Sequence, residues 1–274
     1  MRGEQLECGF HGFRFSPDGA CRATGYGGRA PARAALATWP IRETGGVVFV
    51  WYDPAGEPPT FDLPEIDLDG WTAPSWRTAT FAGHPIETTE NSVDIGHLGF
   101  LHGYDDVTEL EPAHADGACL RARYQMTRGG RSSGLRLPTM RTEFDVSVHG
   151  LGCSLVDLHV LTLGARQRLY VLPTPLGGGL VTLRLGVAGR LAPLEAAPGL
   201  AKRLGVPLVA RALREFTLLG LYFDVAQDRR IWVTKRHVPH PVLAEGDGPI
   251  GLYRRWASQF MVDGAALRSE PTGS

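Results

Sequence analysis

Apolar positions along the chain fall into three regimes. From Gly3 to about Tyr52 turn residues dominate, as in Pro17-Asp18-Gly19 and Gly25-Tyr26-Gly27-Gly28, and the stretch closes on the apolar run Val47 to Tyr52; this predicts a small β unit. Asp53 to Pro74, with Pro54, Pro58, Pro59 and Pro64, has no helical or strand period and predicts a linker. Between Ile86 and His102 apolar residues recur near helical spacing. Strand-like runs follow at Cys119–Thr127, Met140–His149, Ser154–Leu163, Arg168–Leu172 and Leu180–Val187. The gaps between them are too short for helical crossovers, so the sheet should be antiparallel. Leu194 to Lys235 returns to helical composition, broken at Gly205 and Pro207, and a last amphipathic segment spans about Ile250 to Val262. The second half therefore reads as α+β, a twisted sheet with long helices against it.

Length and composition narrow the partners. With 274 residues, 43% hydrophobic and 21% charged, the chain can bury a full core. Lys+Arg of 28 against Asp+Glu of 29 gives a net charge of -1, without the basic excess that non-specific nucleic-acid binding needs. The most apolar stretch, Leu204 to Val225, is interrupted by Arg211, Arg214 and Glu215, which argues against a transmembrane segment. Four dispersed cysteines without a leader pattern point to a cytoplasmic setting.

Chemistry concentrates in the segment from Glu90 to His102, which places Asn91, Asp94, His97 and His102 on an otherwise apolar helix. Asp94 and His97 are three apart, so the carboxylate can orient the ring. His97 and His102 are five apart, about 140° of turn on an ideal helix, so the helix must loosen or end between them for both to meet one ion; Gly96 and Gly99 make a break or a π-type bulge cheap. Nine histidines make an isolated H-x4-H pair weak by itself. Two imidazoles and one carboxylate suit non-haem Fe(II) with an open face. Asp228 is the favoured carboxylate, with Asp224 one turn earlier as the alternative. Near the start, Cys8 and His11 are three apart and could supply half of a His2Cys2 [2Fe–2S] centre. Two rival readings remain: a non-redox carrier of a lipophilic ligand with His97, Asp94 and His102 as a buried polar network, and a Zn²⁺ hydrolase using the same residues as metal ligands.

Taken in order, Cys8-x2-His11-Gly12 with Phe13-Arg14-Phe15, Asn91-x2-Asp94-x2-His97-x4-His102, and Asp228-x2-Ile231-Trp232 resemble the catalytic α subunit of Rieske-type non-haem iron ring-hydroxylating oxygenases. Asp228-x2-Ile231-Trp232-x2-Lys235, Asp247 to Ile250 and Tyr253 to Trp256 are similar to the branch acting on steroids and sterols, including cholesterol 7-desaturases and ketosteroid hydroxylases. The resemblance implies a partial all-β Rieske domain over 1–55, a linker over 56–74, and over 75–274 a helix-grip, START-like antiparallel sheet with long helices. It implies a mononuclear Fe(II) held by His97, His102 and Asp228, with Asn91 beside it and Asp94 bridging toward the Rieske histidine of a neighbouring subunit, here His11. Dioxygen would be activated to hydroxylate or desaturate a lipophilic ring substrate in an apolar cavity near Leu98–Leu101 and Phe216–Phe223. A reductase or ferredoxin would supply NAD(P)H electrons, and the assembly would be a homotrimer. The family's Cys-x-His pair ahead of Cys8 is missing, so this chain should hold only half of the cluster site and be inactive alone.

Overall fold

The computed structural model describes residues 1–128, 139–191, 205–236, 238 and 241–261. The chain divides into two compact units, Met1–Asp67 and Leu68–Ser274, so the division falls inside the proline-rich stretch expected to be a linker.

The first unit is built of short pieces, as its turn-dense sequence requires. β1 (Leu6–Glu7), β2 (Arg14–Phe15) and β3 (Cys21–Ala23) form a three-stranded antiparallel sheet, and β4 (Ile41–Thr44) pairs with β5 (Val47–Val50) as a hairpin. Arg14 Nε donates to Glu7 Oε2 at 2.9 Å across the first pair. Thr44 is buried and ties the hairpin to the following segment, donating to the Pro64 carbonyl at 2.9 Å and accepting from the Ile66 N–H at 2.8 Å.

The second unit is a seven-stranded antiparallel sheet in the order β6-β12-β11-β10-β9-β8-β7, where β6 is Ser75–Ala82, β7 Asp105–Asp116, β8 Cys119–Arg128, β9 Met140–His149, β10 Cys153–Val160, β11 Ala165–Gly177 and β12 Leu180–Leu191. Apart from the edge pairing of β6 with β12, neighbours in the sheet are neighbours in sequence, as short connections demand. Alternation sets the faces. Along β8, Leu120, Ala122, Tyr124 and Met126 are buried while Arg121 is exposed. On β12 the alternate residues Val181, Leu183, Leu185 and Val187 are fully buried on one face.

Among the described residues, four helices complete the unit: α1 (Pro85–Glu90), α2 (Gly96–Phe100), α3 (Val206–Trp232) and α4 (Ile250–Ala257), with a 3₁₀ turn at Ser258–Phe260. The expected single helix over 86–102 is thus two short ones. Asn91 to Ile95 form the turn between them, where side chains of the Asn-Ser-Asp type compete with helical hydrogen bonds. A close approach from far along the chain fixes this turn. Gly248 has φ +75°, and a Cβ there would lie 2.4 Å from the Val93 carbonyl oxygen. Pro207 starts α3 instead of breaking it, because a proline in the first turn gives up no helical hydrogen bond. The part of the expected helical stretch from 194 to 204 lies outside the described residues, as does Val262.

α3 packs on β12 and β6 through Ala210, Leu218, Val225 and Trp232, a stripe repeating every seven or eight residues. A second core joins β8 and β9 to α1 and α4 through Ile86, Val146, Tyr253 and Trp256. Tyr253 donates its hydroxyl to the Ile86 carbonyl at 2.8 Å, and its burial pushes the phenol well above its usual pKa. At Gly186 a Cβ would fall 2.4 Å from Cζ3 of Trp76, whose ring lies across β12. Gly186→Ala is therefore expected to cost about 1–3 kcal/mol in urea unfolding, the usual penalty of an overpacked core.

Candidate metal centre

The start of α2 carries His97 and the residues just past its end carry His102, and the His102 ring meets the C-terminal part of α3. α1 begins with His84, whose Nδ1 accepts the Ile86 N–H at 3.2 Å. It ends at Glu90, and Asn91 follows as its cap. In the turn, Asp94 Oδ1 accepts the backbone N–H of His97 at 3.3 Å and stands 3.6 Å from the His97 ring Nδ1. Asp94 therefore holds His97 partly through its backbone, from the turn ahead of α2 and not from a shared helical face. α2 ends at Phe100, so the helix stops just before His102, and no π-type bulge is needed.

His97, His102 and Asp228 each offer a ligand atom, and these atoms all lie within 4.8 Å of one another. His102 Nε2 is 3.3 Å from Asp228 Oδ1, and the two histidine rings stand 5.0 Å apart, nearly perpendicular at 80°. The side chains of His102 and Asp228 are 4% and 7% exposed, so this polar pair sits away from water. Asn91 brings its amide nitrogen to 3.5 Å from His97 Nε2. Asp224, one turn earlier on α3, is not with the histidines. Arg128 donates to both of its oxygens at 2.8 and 2.9 Å, and Tyr104 donates its hydroxyl to Oδ2 at 3.1 Å. Arg128 also lies 4.7 Å over the Tyr104 ring.

The donor set fits a divalent ion. His97 Nδ1 is buried and makes no hydrogen bond, and no Lys or Arg pairs with Asp228 among the described ion pairs. Burial pulls the His102 pKa down, but hydrogen bonds with Asp228 and Gln227 outweigh it and the net shift is upward. The field that favours a proton on His102 favours a cation in its place. Burial raises the Asp94 carboxyl, and the adjacent His97, with its ring 3.6 Å away and its backbone N–H bonded to Oδ1, turns the balance to a lowered pKa, so Asp94 stays ionised beside the ring.

Gln227 was not singled out by the sequence. Its Oε1 lies 2.8 Å from His102 Nδ1 and fixes the proton there, leaving Nε2 as the free donor atom. The signal was its place next to Asp228, which puts it on the adjoining helical position. Gln227→Leu is expected to weaken Fe(II) binding about 10–100-fold in a competition titration with a chelator, the usual cost of removing an outer-shell partner.

An open-mouthed cavity of about 150 Å³ adjoins the triad and has mainly apolar walls that include Tyr124, Met126, Phe144, Val171, Leu221 and Trp232. The expected wall segments contribute only in part: Leu98 and Leu221 face the cavity, but Phe100 is 96% exposed and Phe216 and Phe223 are largely exposed. Each phenylalanine is two or five helical positions from its inward neighbour, far around the axis.

In the first unit Cys8 and His11 are exposed, with the His11 ring 3.9 Å from that of Phe10. The Cys8 N–H donates to the Phe13 carbonyl at 2.8 Å, and the Gly12 N–H to the Cys8 carbonyl at 3.0 Å. No group of three or more metal-ligating side chains among the described residues includes either one. Two donors fall short of the four a Rieske centre needs.

The fold has solved counterparts. A structure of NdmA from Pseudomonas putida CBB5 with caffeine superposes with a TM-score of 0.64 at 14% identity, covering 93% of this chain and 71% of that one. The chain is a Rieske-type oxygenase, an oxidoreductase. Residues 50–261 match the model of the 3-ketosteroid 9alpha-hydroxylase C-terminal domain, and the chain belongs to that family. It is 29% identical over 277 residues to a 3-ketosteroid-9-alpha-monooxygenase oxygenase component of Rhodococcus rhodochrous, covering 96% of this chain and 69% of the relative. It is also 28% identical over 292 residues to cholesterol 7-desaturase nvd 1 of Ciona intestinalis, covering 98% and 59%.

Proposed function

We propose that this chain is the oxygenase component of a system that hydroxylates or desaturates a steroid-like ring substrate at a mononuclear non-haem Fe(II) held by His97, His102 and Asp228. The observation that carries the reading is the meeting of two imidazoles and one carboxylate beside an apolar cavity. When bound, the iron supplies dioxygen activation, with three protein donors leaving other positions open. The chain's own side chains do the rest. Asp94 orients His97, Gln227 orients His102, and Asn91 supports the ligand face. The apolar wall excludes water and packs against the rings of the substrate. The sheet and α3 enclose the ligand as in a helix-grip, START-like domain.

The relatives are named as oxygenase components, which fits electron supply from a separate NAD(P)H-dependent reductase or ferredoxin. In this reading Cys8 and His11 belong to the [2Fe–2S] region, Asp94 bridges to it across a subunit boundary in a homotrimer, and the protein works in the cytoplasm. No helix among the described residues is long and apolar enough to cross a membrane.

Anaerobic titration with Fe(II), followed by a steroid ketone monitored through tryptophan fluorescence, tests the reading. About one iron and one steroid per chain are expected. Uptake of the steroid with no iron would replace the oxygenase with a non-redox carrier, and uptake of neither would overturn both.

A further inference from the structure

The cavity wall contains a polar atom that the metal centre does not use. Ser154, near the start of β10, is 2% exposed and its Oγ has no hydrogen-bond partner. It shares the inward face of the strand with Val156, and its cross-strand partner on β11 is Val171; all three line the cavity. Three other hydroxyls on that wall are committed. Tyr124 donates to the Ser92 carbonyl at 3.4 Å, Tyr104 is held between Arg128 and Asp224, and Thr88 donates to the Pro85 carbonyl at 2.9 Å. A buried hydroxyl without a partner is costly, and natural structures keep such groups where a water or a ligand completes them.

We propose that Ser154 is a specificity-determining residue whose hydroxyl hydrogen-bonds an oxygen function, a ketone or a hydroxyl, on an otherwise apolar ring ligand. The inference rests on the reading of the cavity as the substrate site and adds the polar feature that the site recognises. Toward a ketone Ser154 donates from Oγ–H, and toward an alcohol it accepts. Val156 and Val171 beside it offer only apolar contact, so this bond fixes which end of a long, nearly symmetric ring system lies at β10. The position presented to the metal centre follows from that choice.

The test compares 5α-androstane, 5α-androstan-3-one and 5α-androstan-17-one on the full chain and on its Ser154→Ala variant. For the unaltered chain one of the two ketones should bind about two- to tenfold tighter than the hydrocarbon, the range of a single net hydrogen bond. Its carbonyl stretch should shift to lower frequency on binding. In Ser154→Ala the preference and the infrared shift should both be lost, with hydrocarbon affinity retained. The ligand-free variant should melt at the same temperature or higher, since it loses a hydroxyl that nothing satisfied; a purely structural role would lower it. A ketone preference unchanged in Ser154→Ala, or no preference in the unaltered chain because a water fills the site, would overturn the role of Ser154 while leaving the cavity reading intact. Failure of all three compounds to bind would overturn both.

Discussion

Asp228→Ala is expected to lower Fe(II) affinity by more than about 100-fold, beyond the about 10–100-fold loss that outer-shell changes cause. The residue supplies the only carboxylate of the three-donor group and sits 3.3 Å from His102 Nε2 at 7% side-chain exposure. Its loss leaves two neutral imidazoles with little to offset the desolvation of a divalent ion. Asp224→Ala is the informative contrast. It removes a carboxylate one turn away, but one already bound by Arg128 and Tyr104, so iron binding should survive while stability falls because Arg128 loses its partner. Metal analysis after anaerobic loading separates the two. Equal iron content in Asp228→Ala and the unaltered chain would remove Asp228 from the ligand set.

Glu90→Ala should be strongly destabilising, by about 1–3 kcal/mol, because it removes the buried carboxylate shared by two partly buried cations. Glu90 Oε1 accepts from Lys235 Nζ at 2.8 Å, and its Oε2 accepts from Arg254 Nε at 2.7 Å. Lys235 also pairs with Glu87 Oε2 at 2.7 Å. The cluster joins the end of α1, the segment after α3, and α4, three elements that meet behind the turn carrying Asn91 and Asp94. Burial raises the Glu90 pKa, but its bonds with Arg254 and Lys235 prevail and it lies below the ordinary value of 4.5. A depressed carboxylate contributes stability that is present above the unfolded-state pKa and is lost as pH falls through the folded-state value. The unaltered chain should therefore lose stability from Glu90 only below about pH 4.5, a dependence that Glu90→Gln should flatten. Urea denaturation at several pH values measures both effects. A loss under about 1 kcal/mol in Glu90→Ala would show that the cluster does not hold these elements together.

The sequence pattern was most informative where one face of a strand meets the core. Met140–His149 was bounded correctly because its apolar positions alternate against the second core. Asp105–Asp116 was not recognised as a strand. It is the edge strand β7, largely exposed, with Pro112, a positive φ of 52° at Asp106 and three register shifts, so no apolar alternation marks it. β6 was missed beside the linker because it pairs with β12, which lies about 100 residues on and leaves no local trace. The triad His97, His102 and Asp228 was legible from residue type and order, and the structure brings the three together. The expected end of the helix between His97 and His102 is there at Phe100, whereas the additional break between α1 and α2 left no local signal because part of its cause is Gly248, more than 150 residues further along. Gln227, Arg128 and Ser154 could not be chosen from sequence, since their importance comes from what lies across the fold from them.

The convergence of His97, His102 and Asp228 on one ion is tested most directly by an anomalous-scattering map at the iron edge from crystals grown anaerobically with Fe(II). One peak bonded to both imidazoles and to the Asp228 carboxylate is the expected result. A peak bonded elsewhere, or none at this triad in iron-loaded crystals, would contradict it.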